Sequence, residues 1–281
     1  MSVVAAAAAT IVLTATPAAA ANGRYVALGD SFTAAPLVPV QHGVPFGCFR
    51  SDSNYPSHVA KQLGKAKYRD VSCSGATTEN MTSPQQVADG ANPPQFDALG
   101  PDVSLVTLTI GGNDVGFAGI IEECVVRSPL DPHGSACKDY YTAGGKDQLA
   151  ERIKKAAPKI AATLRGIAER APSATIAILG YPAILPDKGP GCFPIVPFSP
   201  GDVAYLRETE KRLNAMIEEQ AHKAGVIFVD TYTPSIGHDA CQEPGVKWIE
   251  GLVPTAAAAP FHPNDLGTKG MAEAALAALG A

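Results

Sequence analysis

Tyr25-Val26-Ala27-Leu28-Gly29-Asp30-Ser31-Phe32 is an apolar run that stops at a glycine, an acid and a hydroxyl. Four consecutive apolar residues closed by glycine read as a strand buried on both faces, the signature of a parallel sheet. Similar runs recur at Val103 to Ile110, Thr175 to Leu179 and Val226 to Val229, with Lys67 to Ser72 a weaker candidate for an edge. Between them lie segments with helical spacing at Asn54 to Leu63, Gly145 to Arg170, Pro200 to Lys223 and Asn264 to Leu279. This alternation predicts an α/β fold around a parallel sheet. The segment from Gly145 places Ile153, Ala157, Ile160, Leu164 and Ile167 on one face, so it is expected to cover the sheet, and Pro158 predicts a kink or break within it.

A chain of 281 residues that is 46% hydrophobic and 17% charged suits one core of ordinary size. No repeat or low-complexity linker divides it, and residues 22–281 are expected to form a single domain. A net charge of -5 offers no electrostatic reason for a nucleic acid partner. Residues 1–21 carry no charge and end in small residues, with Ala18 and Ala20 suited to an Ala-x-Ala cleavage site. Although a basic start is missing, the stretch reads as a secretory signal peptide, too short for a stable membrane span. A secreted protein without a permanent membrane anchor is expected; an uncleaved N-terminal anchor is the alternative. Cys48, Cys73, Cys124, Cys137, Cys192 and Cys241 include no Cys-x-x-Cys pair, which favours disulfides over a metal site. Fifteen pairings are open, and spacing alone selects none.

The chemistry sits at the expected strand ends, where open α/β sheets bind ligands. Ser31 follows the first strand, and His262 lies far along the chain in His262-Pro263-Asn264-Asp265. A serine hydroxyl is a poor nucleophile until a base takes its proton, so this pair suggests a serine hydrolase. Ser72-Cys73-Ser74-Gly75-Ala76 and Gly111-Gly112-Asn113-Asp114 occupy two further strand ends. Both could be ordinary turns, but an Asn113 amide fixed there could donate to a developing oxyanion, a contact worth roughly 3 kcal/mol of barrier. His42, His58, His133, His222 and His238 show no spacing to a second metal ligand, and His238-Asp239 is the best rival base among them. No Gly-x-Ser-x-Gly elbow, phosphate-binding Gly-Lys-Ser/Thr loop or His-Glu-x-x-His occurs, so the α/β-hydrolase, nucleotide and zincin readings lack support.

Taken in order, Gly29-Asp30-Ser31, Gly75, Gly111-Gly112-Asn113-Asp114 and His262-Pro263-Asn264 resemble the blocks of the SGNH, or GDSL-like, hydrolases. The resemblance runs over nearly all of the chain after the leader. It implies a flavodoxin-like three-layer α/β/α fold with five parallel strands. It also implies a Ser31 nucleophile with His262 as base, and an oxyanion held by the backbone N–H groups of Ser31 and Gly75 and the side chain of Asn113. No cofactor or metal is called for, and a monomer acting on an acyl ester or lipid is expected. The six cysteines look like those of the secreted actinobacterial esterase and lipase branch, which implies Cys48 with Cys73, Cys124 with Cys137 and Cys192 with Cys241.

One position departs from the pattern. Most of the superfamily has an aspartate three residues before the histidine, and that position here is Ala259. A backbone carbonyl, of Ala259 or Pro260, is the local candidate for orienting the imidazole, and a distant aspartate such as Asp230 stays open. Two proline-stiffened apolar loops, Ala34 to Val40 and Phe193 to Phe198, are candidate walls of an acyl groove, unless they pack on the core. Without a groove, a short-chain or carbohydrate acetylesterase becomes the better reading, although the single Trp248 offers little platform for a sugar. An inactive secreted binding domain is the reading from a different class.

Overall fold

The computed structural model describes residues 23–281, so the expected signal peptide lies outside the described residues. Its centre is a five-stranded sheet of β1 (Arg24–Gly29), β2 (Tyr68–Asp70), β3 (Val103–Thr109), β4 (Thr175–Leu179) and β5 (Ile227–Val229). All neighbours are parallel in the order β2-β1-β3-β4-β5, with Val26 opposite Val106, Val106 opposite Ile176 and Ile178 opposite Phe228. Strand order reverses at β1, since β2 lies on one side of it and β3 on the other. The crevice beyond the β1 and β3 ends is therefore the topological switch point, the place where such sheets bind ligands. The first strand sits in the interior as its composition requires, with Tyr25, Val26, Ala27 and Leu28 fully buried.

Nine α-helices accompany the sheet: α1 (Ser31–Ala34), α2 (Tyr55–Gln62), α3 (Gly112–Val115), α4 (Phe117–Arg127), α5 (Ala136–Tyr141), α6 (Gln148–Arg170), α7 (Pro200–Ala224), α8 (Tyr232–Ser235) and α9 (Asp265–Leu279), counted among the described residues. α6 packs on α7, and α2 packs on α9, giving the two outer layers. Asp147 caps α6 by accepting from the N–H groups of Leu149 and Ala150, and the same carboxylate receives Tyr205 Oη and Arg212 from α7. One acid thus caps one helix and ties it to the next.

α6 runs unbroken through Pro158, contrary to the break its sequence suggests. Pro158 and Lys154 both lie on the exposed face. Water can therefore take the Lys154 carbonyl that proline leaves without a donor, while Ile153, Ile160, Leu164 and Ile167 remain buried on the other side. The helix also starts after Gly144 and Gly145 rather than at them, because both have φ of +77°. The cysteines pair as Cys48–Cys73, Cys124–Cys137 and Cys192–Cys241. No helix of the described residues is long and apolar enough to cross a membrane.

Candidate active site

Ser31 stands at the first position of α1, directly beyond β1. Gly29 makes that turn possible: its φ is +131°, and a Cβ there would meet the Thr109 carbonyl oxygen and Thr33 Oγ1 at 2.5 Å. The Gln95 side chain holds both backbone groups of Gly29, accepting from its N–H at 2.7 Å and donating to its carbonyl at 2.9 Å. The first N–H of a helix has no carbonyl a turn earlier to bond, so the Ser31 amide is free for a ligand.

His262 reaches the same point from the segment preceding α9. Its Nε2 lies 2.8 Å from Ser31 Oγ, and its Nδ1 lies 2.7 Å from the Pro260 carbonyl oxygen. A carbonyl can only accept, so Nδ1 carries the proton and Nε2 presents its lone pair to the serine hydroxyl. The Ala259 carbonyl instead receives the His262 backbone N–H at 3.2 Å, and Asp230 accepts from the N–H groups of Tyr232 and Thr233. The rival His238 is occupied elsewhere, with Nδ1 against the Val246 carbonyl and its ring stacked on Trp248. Phe32 and Phe117 lie 5.0 and 5.9 Å from the His262 ring, and this burial lowers its pKa below the ordinary 6.5. Phe261 holds the loop in place. It adopts a φ of +57°, a conformation that costs about 1 kcal/mol or more for a residue with a side chain, and its buried ring stacks 5.5 Å from Phe198.

The other two residues expected as oxyanion donors come from two further strand ends. Gly75 has φ of +81° in a turn closed by the Ala76 N–H to the Cys73 carbonyl, and the Cys48–Cys73 disulfide ties this turn to the loop that follows Ser31. Asn113 uses one amide hydrogen on the Ala76 carbonyl at 2.9 Å, which leaves the other for a ligand. Asp114 then accepts from the N–H and hydroxyl of Thr78. The segment after β3 therefore holds the chain just after Gly75 at two points. Ser31, Gly75, Asn113 and His262 all line one cleft of about 470 Å³.

Sequence reading missed the support beneath this cleft. Asp30 is buried beside the serine and accepts from Tyr181 Oη at 2.5 Å, Thr109 Oγ1 at 2.7 Å and the Phe32 N–H at 3.0 Å. Burial raises its pKa to about 6 against the pull of these donors. Tyr181 Oη also accepts from the Gly112 N–H at 2.8 Å, so Asp30 and the Asn113 loop share one rigid strut. Tyr181 follows β4 within an ordinary Leu-Gly-Tyr-Pro, and no local signal marks it.

A second, narrower cavity of about 80 Å³ also starts at Ser31 and Asn113. It runs between α4 and α7, with Phe117, Ile120, Ile184 and Leu206 among its walls. Glu210 lines it too, receives the Ile184 N–H, and is pushed well above the usual carboxylate range by burial. Of the two loops expected to form a groove, the first contributes Pro36 and Leu37 to the open cleft. The second does not line either space. Its Val196 and Phe198 are buried, and Phe198 supports the histidine loop instead. The described residues hold no cluster of three or more His, Cys, Asp or Glu suited to a metal.

The chain is 40% identical to lipase 2 of Streptomyces coelicolor over 259 residues, covering 91% of this chain and 85% of that one. Among solved structures it is similar to phospholipase A1 of Streptomyces albidoflavus (TM-score 0.71, 26% identity, 92% of this chain and 98% of that one). It is also similar to the extracellular lipase of Streptomyces rimosus (TM-score 0.69, 26% identity, 91% and 99%). Residues 27–269 match the GDSL-like Lipase/Acylhydrolase family, and the chain belongs to it.

Proposed function

We propose that this protein is a secreted carboxylic ester hydrolase that cleaves acyl esters through a Ser31 acyl-enzyme. The observation that carries the reading is the 2.8 Å contact between His262 Nε2 and Ser31 Oγ in a cleft that also holds Gly75 and Asn113. Neutral His262 takes the serine proton as Oγ attacks the ester carbonyl. The oxyanion rests on the N–H groups of Ser31 and Gly75 and on the Asn113 amide, and the imidazolium then protonates the leaving alcohol. Water activated by the same imidazole releases the acid. The Pro260 carbonyl fixes the tautomer and orients the ring, with less stabilisation of the imidazolium than a carboxylate gives.

The two cavities support an arrangement of the substrate's arms. His262 lines the open cleft and not the inner one, and the leaving oxygen must lie beside His262. The alcohol or head group therefore occupies the open cleft, and the acyl chain enters the apolar slot between α4 and α7. A carbohydrate acetylesterase ranks second, since Trp248 packs against His238 and the glycines of α9 rather than facing the cleft. Three disulfides suit an oxidising compartment, in keeping with residues 1–21 as a signal for export and 22–281 as one catalytic domain.

The test is hydrolysis of p-nitrophenyl esters from acetyl to palmitoyl by the disulfide-intact chain, with Ser31→Ala as control. Turnover that peaks beyond butyryl and falls by about 10⁴-fold or more in the variant is expected. Activity confined to acetyl would move the reading to a short-chain esterase, and turnover unchanged by Ser31→Ala would overturn the nucleophile.

A further inference from the structure

The catalytic steps leave unused the outer surfaces of the two segments that border the open cleft. Residues 31–49 and 251–261 contain no Asp, Glu, Lys or Arg, although the chain averages 17% charged residues and these thirty positions would carry about five. They are not buried for want of charge. Val44 is 91% exposed, Val253 77% and Phe46 52%, and Leu37, Val40 and Leu252 are exposed as well. Exposed apolar side chains that gather in one patch mark a contact surface, whereas single ones need no explanation.

The two segments form one face. The Ala259 N–H donates to the Pro36 carbonyl at 3.0 Å, and Ala35, Val38 and Ala258 make a small buried cluster between them. Leu37, Phe49 and Leu252 line the mouth of the cleft, and Phe46 packs edge-on against Phe49 with centroids 6.0 Å apart. The loops are also held rather than loose. Asp89 accepts from the N–H groups of Phe46 and Gly47 at 2.7 Å, Asp52 accepts from the Val40 N–H, and Gln41 donates to the carbonyls of Ala35 and Val38. A surface already ordered loses little entropy when something covers it.

We propose that these loops are a docking face for a net-neutral, zwitterionic lipid surface, on which the mouth of the cleft sits. The two segments carry no charge of their own, and the carboxylates beside them, Asp52, Asp89 and Glu122, together with the chain's net charge of -5 oppose an anionic surface rather than favour one. The apolar rim around the mouth would dip among the acyl chains and admit an ester without passing it through water. This rests on the reading of the protein as an acyl ester hydrolase.

The experiment is co-sedimentation of the full Ser31→Ala protein with phosphatidylcholine vesicles, alone and with Val44→Asp or Phe46→Asp added. Binding that is the same in about 0.05 and 0.5 M NaCl, and at least tenfold weaker with either aspartate, is expected. With Ser31 intact, the same two substitutions should leave hydrolysis of soluble p-nitrophenyl butyrate at the parent rate while slowing hydrolysis of dispersed lipid, which shows that the fold survives. Absence of vesicle binding, binding untouched by the aspartates, or binding only to anionic vesicles and lost in salt would each overturn the proposal. So would self-association that Val44→Asp abolishes without any vesicle binding, since the face would then join two copies of the chain. Loss of soluble-ester turnover in the parent would count against the hydrolase reading alone, because docking is read on the inactive variant.

Discussion

As the proposed base, His262 is held by the Pro260 carbonyl among buried aromatic rings, and this surrounding sets its pH behaviour. Burial lowers its pKa, and the Pro260 hydrogen bond raises it again only in part. Since the neutral imidazole is the active form, kcat/KM should fall on the acid side with a midpoint below 6.5. Asp30 titrates near 6 in the same region, so the limb is assigned by following the His262 Cε1–H chemical shift with pH. A midpoint above 6.5, or one that the imidazole resonance does not share, would refute this. Asn113→Ala should lower kcat by about 10²-fold with little change in KM, because its amide acts on charge that develops only in the transition state. A rise in KM alone would show ground-state binding instead. The blocks around Ser31 and Asn113 stand out in the sequence because each is short and directly follows a strand, and that of His262 because it immediately precedes α9. Tyr181 was not, because its bond to Asp30 spans 151 residues of sequence and exists only once β1 and β4 share a sheet.

The histidine loop is positioned by a buried polar cluster in which only Asn264 belongs to a motif block. Asn264 caps α9 by accepting from the N–H groups of Leu266 and Gly267, and its amide donates to Glu250 at 2.8 Å and to the Lys247 carbonyl at 2.9 Å. The Glu250 N–H in turn donates to the His262 carbonyl, and Lys247 Nζ lies 3.4 Å from the Glu250 carboxylate with both side chains buried. Against burial, which raises it, the N–H and hydroxyl of Thr255, the Asn264 amide and the Lys247 charge hold the Glu250 pKa below its usual 4.5. A depressed folded-state pKa contributes stability above the unfolded pKa, and that contribution is lost as pH falls through the folded value. Glu250→Gln should therefore cost about 3 kcal/mol at pH 7, where it leaves Lys247 unpaired, and the gap from the parent should close below pH 4.5 in urea unfolding. A gap independent of pH would refute the linkage. The inner slot is testable at the same scale. Leu206→Trp on α7 should lower kcat/KM for octanoyl relative to acetyl esters by at least about tenfold, and equal losses on both would remove the slot from acyl binding. The apolar loops show why such walls were only half legible. Ala34 to Val40 and Phe193 to Phe198 look alike in composition, and only the packing of Phe198 on Phe261 separates a supporting loop from a lining one.

For the whole molecule, periodicity was enough to reveal the sheet and its long helices, because burying β1, β3 and β4 on both faces demands runs of apolar residues, with buried threonines as the polar members in β3. Short pieces such as α5 escaped, since its six residues are held by the Cys124–Cys137 bridge and by Asp202 rather than by an apolar repeat. Disulfides thus replace hydrophobic pattern where pattern is weak. The bridges span 13, 25 and 49 residues. Chain-entropy arguments assign loops of that size about 3 to 4 kcal/mol each, so together they rival the whole stability of a typical domain, about 5 to 15 kcal/mol. The reduced chain should then be marginal at 37 °C. Differential scanning calorimetry with and without reductant should show the Tm falling by about 10 °C or more, with p-nitrophenyl ester turnover lost in step. A reduced protein that melts within a few degrees of the oxidised one would mean that the α/β core alone carries the fold. In that case the bridges would matter chiefly for the register of the Gly75 turn, and activity would be lost on reduction while the calorimetric transition stayed in place.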